Sequence, residues 1–136
     1  MTDWLVVMCL VAAGGGLGGM ARFWVSGIVA RRFGETFPWG TMAVNVSGAA
    51  AIGVLGASLL TPDTHAIRSI PLWAALVVGF LGSYTTVSSF SLQTLALARN
   101  GEAARALGNV VLSLALCLSA SAGAYLATTQ ALGVWQ

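Results

Sequence analysis

The chain has 136 residues, of which 57% are hydrophobic and only 7% charged, with six Lys+Arg against four Asp+Glu. A soluble domain carries about 25% charged residues; at a mean hydropathy of +0.86 this chain cannot cover its surface with charge, so lipid is its main solvent. A formal net charge of +2 is too small for a nucleic-acid surface.

A membrane-spanning helix takes about 20 apolar residues. Four segments qualify, about 4–30, 39–60, 71–98 and 104–130, which leaves a single four-helix transmembrane domain over 1–136 and nothing over for a soluble one. Trp4, Trp39, Trp73 and Trp135 fall near segment ends, where interfacial anchors sit. The start, Met1-Thr2-Asp3-Trp4, lacks a positive n-region and its apolar run outlasts that of a signal peptide, so no cleaved leader is expected. Cys9 and Cys117 each lie inside a span and make neither a disulfide framework nor a metal site. His65 reads as a solvated loop residue.

The first segment contains Gly14/Gly18 and Gly15/Gly19, two small-xxx-small pairs that let another helix approach the backbone closely. Arg22 follows, inside the span or just beneath its end. Such a cation pairs, caps carbonyls or lines a wet cavity, or else snorkels to the interface. The loop with Arg31, Arg32, Glu35 and Pro38 leads to the second helix, where Thr41, Asn45 and Gly48 share one face. Asn45 is the strongest polar group in any span, with two amide protons and a carbonyl acceptor. It reads either as interhelical glue, worth about 1–2 kcal/mol at most, or as a donor to an anion. The second loop, about 60–70, holds Pro62, Asp63, His65 and Arg68.

The third segment is organised around 79–93, GFLGSYTTVSSFSLQ: its flanks, Leu72 to Leu81 and Leu92 to Ala98, are helix material, and its middle is an interruption packed with hydroxyls and small residues. At membrane depth each orphaned backbone group costs several kcal/mol, so the interruption must be buried in protein or face water. Broken spans are where carriers and channels hold ions, with freed carbonyls and helix ends. A Ser/Thr-rich helix that bonds its neighbours is the plainer alternative. The fourth segment adds Asn109, Ser113, Cys117 and Ser121 at four-residue spacing.

No span carries Asp, Glu or Lys near its middle. That argues against a proton-coupled carrier of the small multidrug type and against a cation channel built on a carboxylate ring. No nucleophile–base pair is visible, so no enzyme is expected. What remains is a neutral, donor-rich path: hydroxyls, amides and the positive edge of a phenyl ring can replace the water shell of a small hard anion.

Taken in order, three motifs resemble the Fluc (CrcB) family of fluoride channels: Gly15 to Phe23 with its terminal Arg22, the Gly-Thr-x-x-Val-Asn segment Gly40 to Asn45, and the Gly-rich, hydroxyl-rich break from Gly79 to Ser91. The resemblance covers nearly the whole chain. It implies an all-α membrane protein of four transmembrane helices, the third broken near mid-membrane, working as an antiparallel dual-topology dimer in the cell (inner) membrane. It implies passive export of fluoride. Asn45 would contact the ion; Ser88, Ser89 and Ser113 would contribute to a polar track, with Thr41 in support; Asn109, on the same stripe as Ser113, is placed in the path from its own chemistry, as a hydrogen-bond donor. Phe90 would be the second phenylalanine of a pore-lining pair. Arg22 would lie near a vestibule, and the backbone carbonyls of Gly82 and Thr85 would hold a structural Na+ at the dimer centre.

Four positions depart from the family pattern. Val87 stands where the first pore phenylalanine is expected, Ser83 where a glycine is usual, Asn109 where many relatives have tyrosine, and Cys117 where some have serine. Val87 keeps a second reading open, a non-conducting or partner subunit. The arginines support it: Arg31, Arg32, Arg99 and Arg105 fall in the first and third loops, against Arg68 alone in the second loop and termini, with Arg22 left out as intramembrane. That bias favours the Arg-rich loops in the cytoplasm and suggests pairing with an oppositely oriented homologue.

Overall fold

The first span has no proline and stays helical from Thr2 to Phe33 (α1, Thr2–Phe33). It ends at Gly34, whose φ of +82° gives the left-handed helix end that glycine adopts without a Cβ penalty; its N–H closes on the Ala30 carbonyl at 2.8 Å. A short loop, with the Phe37 and Trp39 rings 4.7 Å apart, leads into α2 (Trp39–Ser58). The computed structural model describes residues 2–58 and 70–133; Pro62, Asp63, His65, Arg68 and Trp135 lie outside them.

The third span comes in two pieces. The first, α3, begins as α-helix at Ile70–Trp73, widens to a π-helix over Ala74–Leu81 and closes with the turn Gly82–Tyr84. Thr85 (φ −77°, ψ 160°) and Thr86 (φ −153°, ψ 122°) are extended. The second piece, α4 (Val87–Arg99), is regular α-helix. A tight turn through Gly101, at φ +80°, then brings the chain back into α5 (Ala103–Ala131). The four stretches Trp4–Phe33, Trp39–Ser58, Pro71–Arg99 and Ala103–Ala131 are each long and apolar enough to cross a bilayer. The interruption is narrower than the stretch between the expected flanks at Leu81 and Leu92: only Thr85 and Thr86 leave the helix.

Helix α1 lies along α3, α2 along α5, and α4 rests on α5. Small residues permit this. A Cβ on Gly14 or Gly18 would run into the backbone of α3 at Ala75 and Phe80, and one on Gly79 would lie 2.7 Å from the Val11 carbonyl oxygen. Within the chain Gly14/Gly18 is therefore the packing pair, whereas Gly19 faces open space. The buried interior is small and partly polar: Met42, Val44, Ala57, Ala74 and Ala106 beside Thr41, Thr86, Asn109, Ser113 and Thr129. Large apolar side chains point outward, with Phe23 79% and Leu118 70% exposed, as suits helices that pack on small residues and present bulk to lipid.

Candidate functional site

The break is held from the side by Asn45. Its Nδ2 donates to the Thr86 carbonyl at 2.9 Å, and the Thr86 N–H donates to its Oδ1 at 2.8 Å. Both are short, well-formed bonds. Thr86 is also the N-cap of α4: its hydroxyl accepts the Ser89 N–H at 3.2 Å and lies 3.2 Å from the Ser88 hydroxyl. A side-chain oxygen at this position satisfies one of the orphan donors of a helix start.

These two bonds have a consequence for the carbonyls. In a continuous α-helix Gly82 O would accept from the N–H of Thr86, and Thr85 O from that of Ser89. The first N–H goes to Asn45 and the second to the Thr86 hydroxyl. The carbonyls of Gly82 and Thr85 thus lose their helical donors. Arg22, half-buried on α1, reaches Thr85 O with Nη1 at 3.4 Å. Of the three roles open to a cation in a span, it takes carbonyl capping. Among the described residues no three His, Cys, Asp or Glu side chains gather into a group that could hold a metal ion.

A groove of about 530 Å³ opens beside the break, with Asn45, Thr85, Val87, Phe90, Ser113 and Cys117 on its walls. Val87 is 77% exposed, Phe90 half-buried and Gly82 and Ser88 exposed, so the groove is open on that flank. Thr41 and Ser89 line a different hollow of about 500 Å³, nearer the first loop, together with Gln93 and Glu35.

Asn109 is 1% exposed and bonded through both its amide nitrogen and its amide oxygen. Its Nδ2 donates to Thr94 Oγ1 at 2.8 Å, Thr94 donates to the Phe90 carbonyl at 2.7 Å, and Ser113 donates to Asn109 Oδ1 at 3.4 Å. It ties α4 to α5 behind Phe90 and touches the groove only through Ser113. The structure thus brings Asn45, Phe90, Val87 and Ser113 together, sets Thr41 and Ser89 apart, and puts Asn109 behind the wall. Thr86 and Thr94, the two hubs of this network, were not singled out in the sequence. The N-cap spacing from Thr86 to Ser89 was the available signal for the first; the second had none.

Fold and site define a multi-pass helical membrane protein with one interrupted span, whose break is bonded by an amide and hydroxyls and capped by an arginine. The sequence profile of the family described as "CrcB-like protein, Camphor Resistance (CrcB)" matches residues 9–125, and the chain belongs to that family. Relatives are close. A protein of Rhodopseudomonas palustris named "Fluoride-specific ion channel FluC 2" is 61% identical over 116 residues, 85% of this chain and 87% of its own. A protein of the same name from Bradyrhizobium diazoefficiens is 59% identical over 110 residues, 81% of this chain and 80% of its own. A "Fluoride-specific ion channel FluC" of Rhodospirillum rubrum is 48% identical over 108 residues, 79% of this chain and 83% of its own.

Proposed function

We propose that this protein is a passive fluoride channel, not an enzyme, that lets F⁻ leave the cell. HF crosses bilayers as a neutral molecule and dissociates inside, trapping the anion. A negative-inside potential then drives F⁻ outward by about 2.3 kcal/mol per charge per 100 mV, and no pump is needed. The observation that carries the reading is the groove at the break. It joins an amide, a serine hydroxyl and a phenyl ring in a wall that is otherwise largely apolar, through Ile52, Val77, Leu81 and Leu114, without a carboxylate to repel an anion. One proton of Asn45 Nδ2 is spent on Thr86 O, and the other is the donor left for the ion. Phe90 supplies a ring whose edge is positive, and Ser113 an oxygen that must turn its proton from Asn109 to the ion.

The working form we infer is an antiparallel pair in the inner membrane, made with a second copy or an oppositely oriented homologue. The exposed flank of Gly82, Val87 and Ser88 supports this, since a partner laid there would close the groove. Na+ fits the same arrangement: the Gly82 and Thr85 carbonyls, stripped of helical donors, would hold it, and it would supply a fixed positive charge beside the anion path. Arg22 on Thr85 O must then move or share that oxygen.

The test is fluoride efflux from liposomes containing this chain alone, with chloride as control. Fast fluoride loss without chloride loss is expected. Well-folded dimers that pass neither ion would move the reading to a partner subunit, and adding an oppositely oriented homologue would then restore flux.

A further inference from the structure

Asn45 sits on α2, far from Thr86 in sequence, yet its amide makes the two-point contact with Thr86 that a neighbouring strand makes with an extended residue. The contact uses Oδ1 and the Nδ2 proton on the same side as Oδ1. It also removes the donor that would re-form the helix, because the Thr86 N–H cannot serve both Asn45 Oδ1 and Gly82 O. No other side chain bonds the Thr86 backbone among the described residues, although the Thr86 hydroxyl bonds within its own turn.

We propose that Asn45 is the positioning residue of the helix break: its amide takes both backbone groups of Thr86, keeps the span interrupted there, and so keeps the Gly82 carbonyl free. This deepens the fluoride-channel reading and rests on it only for the flux measured below; the break itself is tested separately. On this view substitution of Asn45 alters the shape of the path, and not only one contact to the ion.

Hydrogen–deuterium exchange of the segment 84–90, in protein held in lipid nanodiscs, separates the two roles. Asn45→Leu loses both arms of the contact. Asn45→Asp keeps the acceptor for Thr86 N–H but, ionised, has no proton for Thr86 O. Ser47→Ala is the control, because it removes a 2.9 Å bond from the same helix to the Tyr84 hydroxyl and leaves Thr86 alone. Exchange in 84–90 should quicken by roughly ten- to a hundredfold in Asn45→Leu, the span expected when a buried hydrogen bond loses its partner, and less in Asn45→Asp. Ser47→Ala should match the wild type at Thr86, and α1 and α5 should be unchanged throughout.

Acid provides a rescue. A protonated carboxyl carries one O–H donor and one acceptor, which restores both arms. The charged or titratable groups facing the break are Arg22, through Thr85, Tyr84, through Ser47, and Cys117 on the groove wall. In Asn45→Asp, exchange of 84–90, corrected for the intrinsic rate, should slow towards the wild-type value at low pH, whereas Asn45→Leu should show no such return.

Unchanged exchange of 84–90 in Asn45→Leu, even with fluoride flux lost, overturns the proposal and leaves Asn45 as an ion contact. Should that variant fail to fold, Asn45→Asp decides: exchange that stays at the wild-type value from acid up to a pH at which the carboxyl is ionised, or that is quickened and does not slow in acid, overturns it equally. A wild-type protein that passes no fluoride defeats the channel reading and leaves the exchange result standing.

Discussion

Val87 is the residue whose chemistry fits its place least. It lies on the groove wall with Phe90 and is 77% exposed, so its side chain has room, but an isopropyl group offers an anion no positive edge. A ring there should help. Val87→Phe is expected to raise fluoride efflux roughly two- to tenfold, the factor that about 0.5–1.5 kcal/mol of edge attraction takes off a barrier. A fall instead would mean that the surrounding packing is adapted to valine. Asn45 shows what the sequence left hidden at this scale. Its weight as the strongest polar group in a span was visible, and the readings of glue and of ion donor were both open. The structure shows the glue bond, and the donor role proposed above uses the other amide proton; the bond's partner is one that no spacing rule reveals, a backbone residue of another span, itself made available only because the helix stops there. Asn109 is the same case. It reads as part of a track because it shares a four-residue stripe with Ser113, but its amide turns to Thr94 and away from the groove.

At the scale of the element, the contact between α1 and α3 depends on glycine at particular turns. A Cβ on Gly18 would meet the Phe80 backbone, which cannot swing aside as a side chain can. Gly18→Ala should therefore cost about 1–3 kcal/mol, as overpacking does, and lower the thermal midpoint in detergent. Gly19→Ala meets nothing within the chain and should leave the midpoint unchanged or raise it slightly, since alanine is the better helix former. An equal loss at Gly19 would show that a second chain packs on that face, the role the Gly15/Gly19 pair suggests. The elements themselves were legible because length and apolarity suffice to mark spans. The break was legible only as a region. Glycines and hydroxyls are spread over Gly79 to Gln93 among Phe80, Leu81, Val87, Phe90 and Leu92, and a hydroxyl can stay in a helix by bonding the preceding turn, as that of Thr94, one residue past the stretch, does to the Phe90 carbonyl. Nothing in Ala-Ala-Leu-Val-Val-Gly-Phe-Leu announces a π-helix over Ala74–Leu81. Within that widening Gly79 lies against the Val11 backbone of α1.

For the whole molecule the open question is which way the chain crosses the membrane. Arg31, Arg32, Arg99 and Arg105 are all exposed and, by the order of four spans, belong to one end. Arg105 pairs with Glu102 at 2.8 Å, with both side chains well exposed, a bond worth about 0–1 kcal/mol. Acidic residues count little towards orientation, so the bias stands. Arg22 is engaged with Thr85 O inside the bundle, which supports leaving it out of the count. Reporters placed in the 34–38 loop and beyond α5 in living cells should show one orientation, with the Arg-rich end in the cytoplasm. Changing Arg31 and Arg32 to glutamine should then yield a mixture. An even split in the wild type would overturn the bias and make the chain its own antiparallel partner. Liposomes cannot decide this point, because detergent-solubilised chains are free to pair head to tail before they meet lipid. Flux from purified protein therefore tests whether two copies can form a path, and orientation in the cell tests whether they ever meet. A chain that conducts in liposomes but inserts one way in cells would need an oppositely inserted homologue to work there, and Val87 would then belong to a subunit selected as half of a pair.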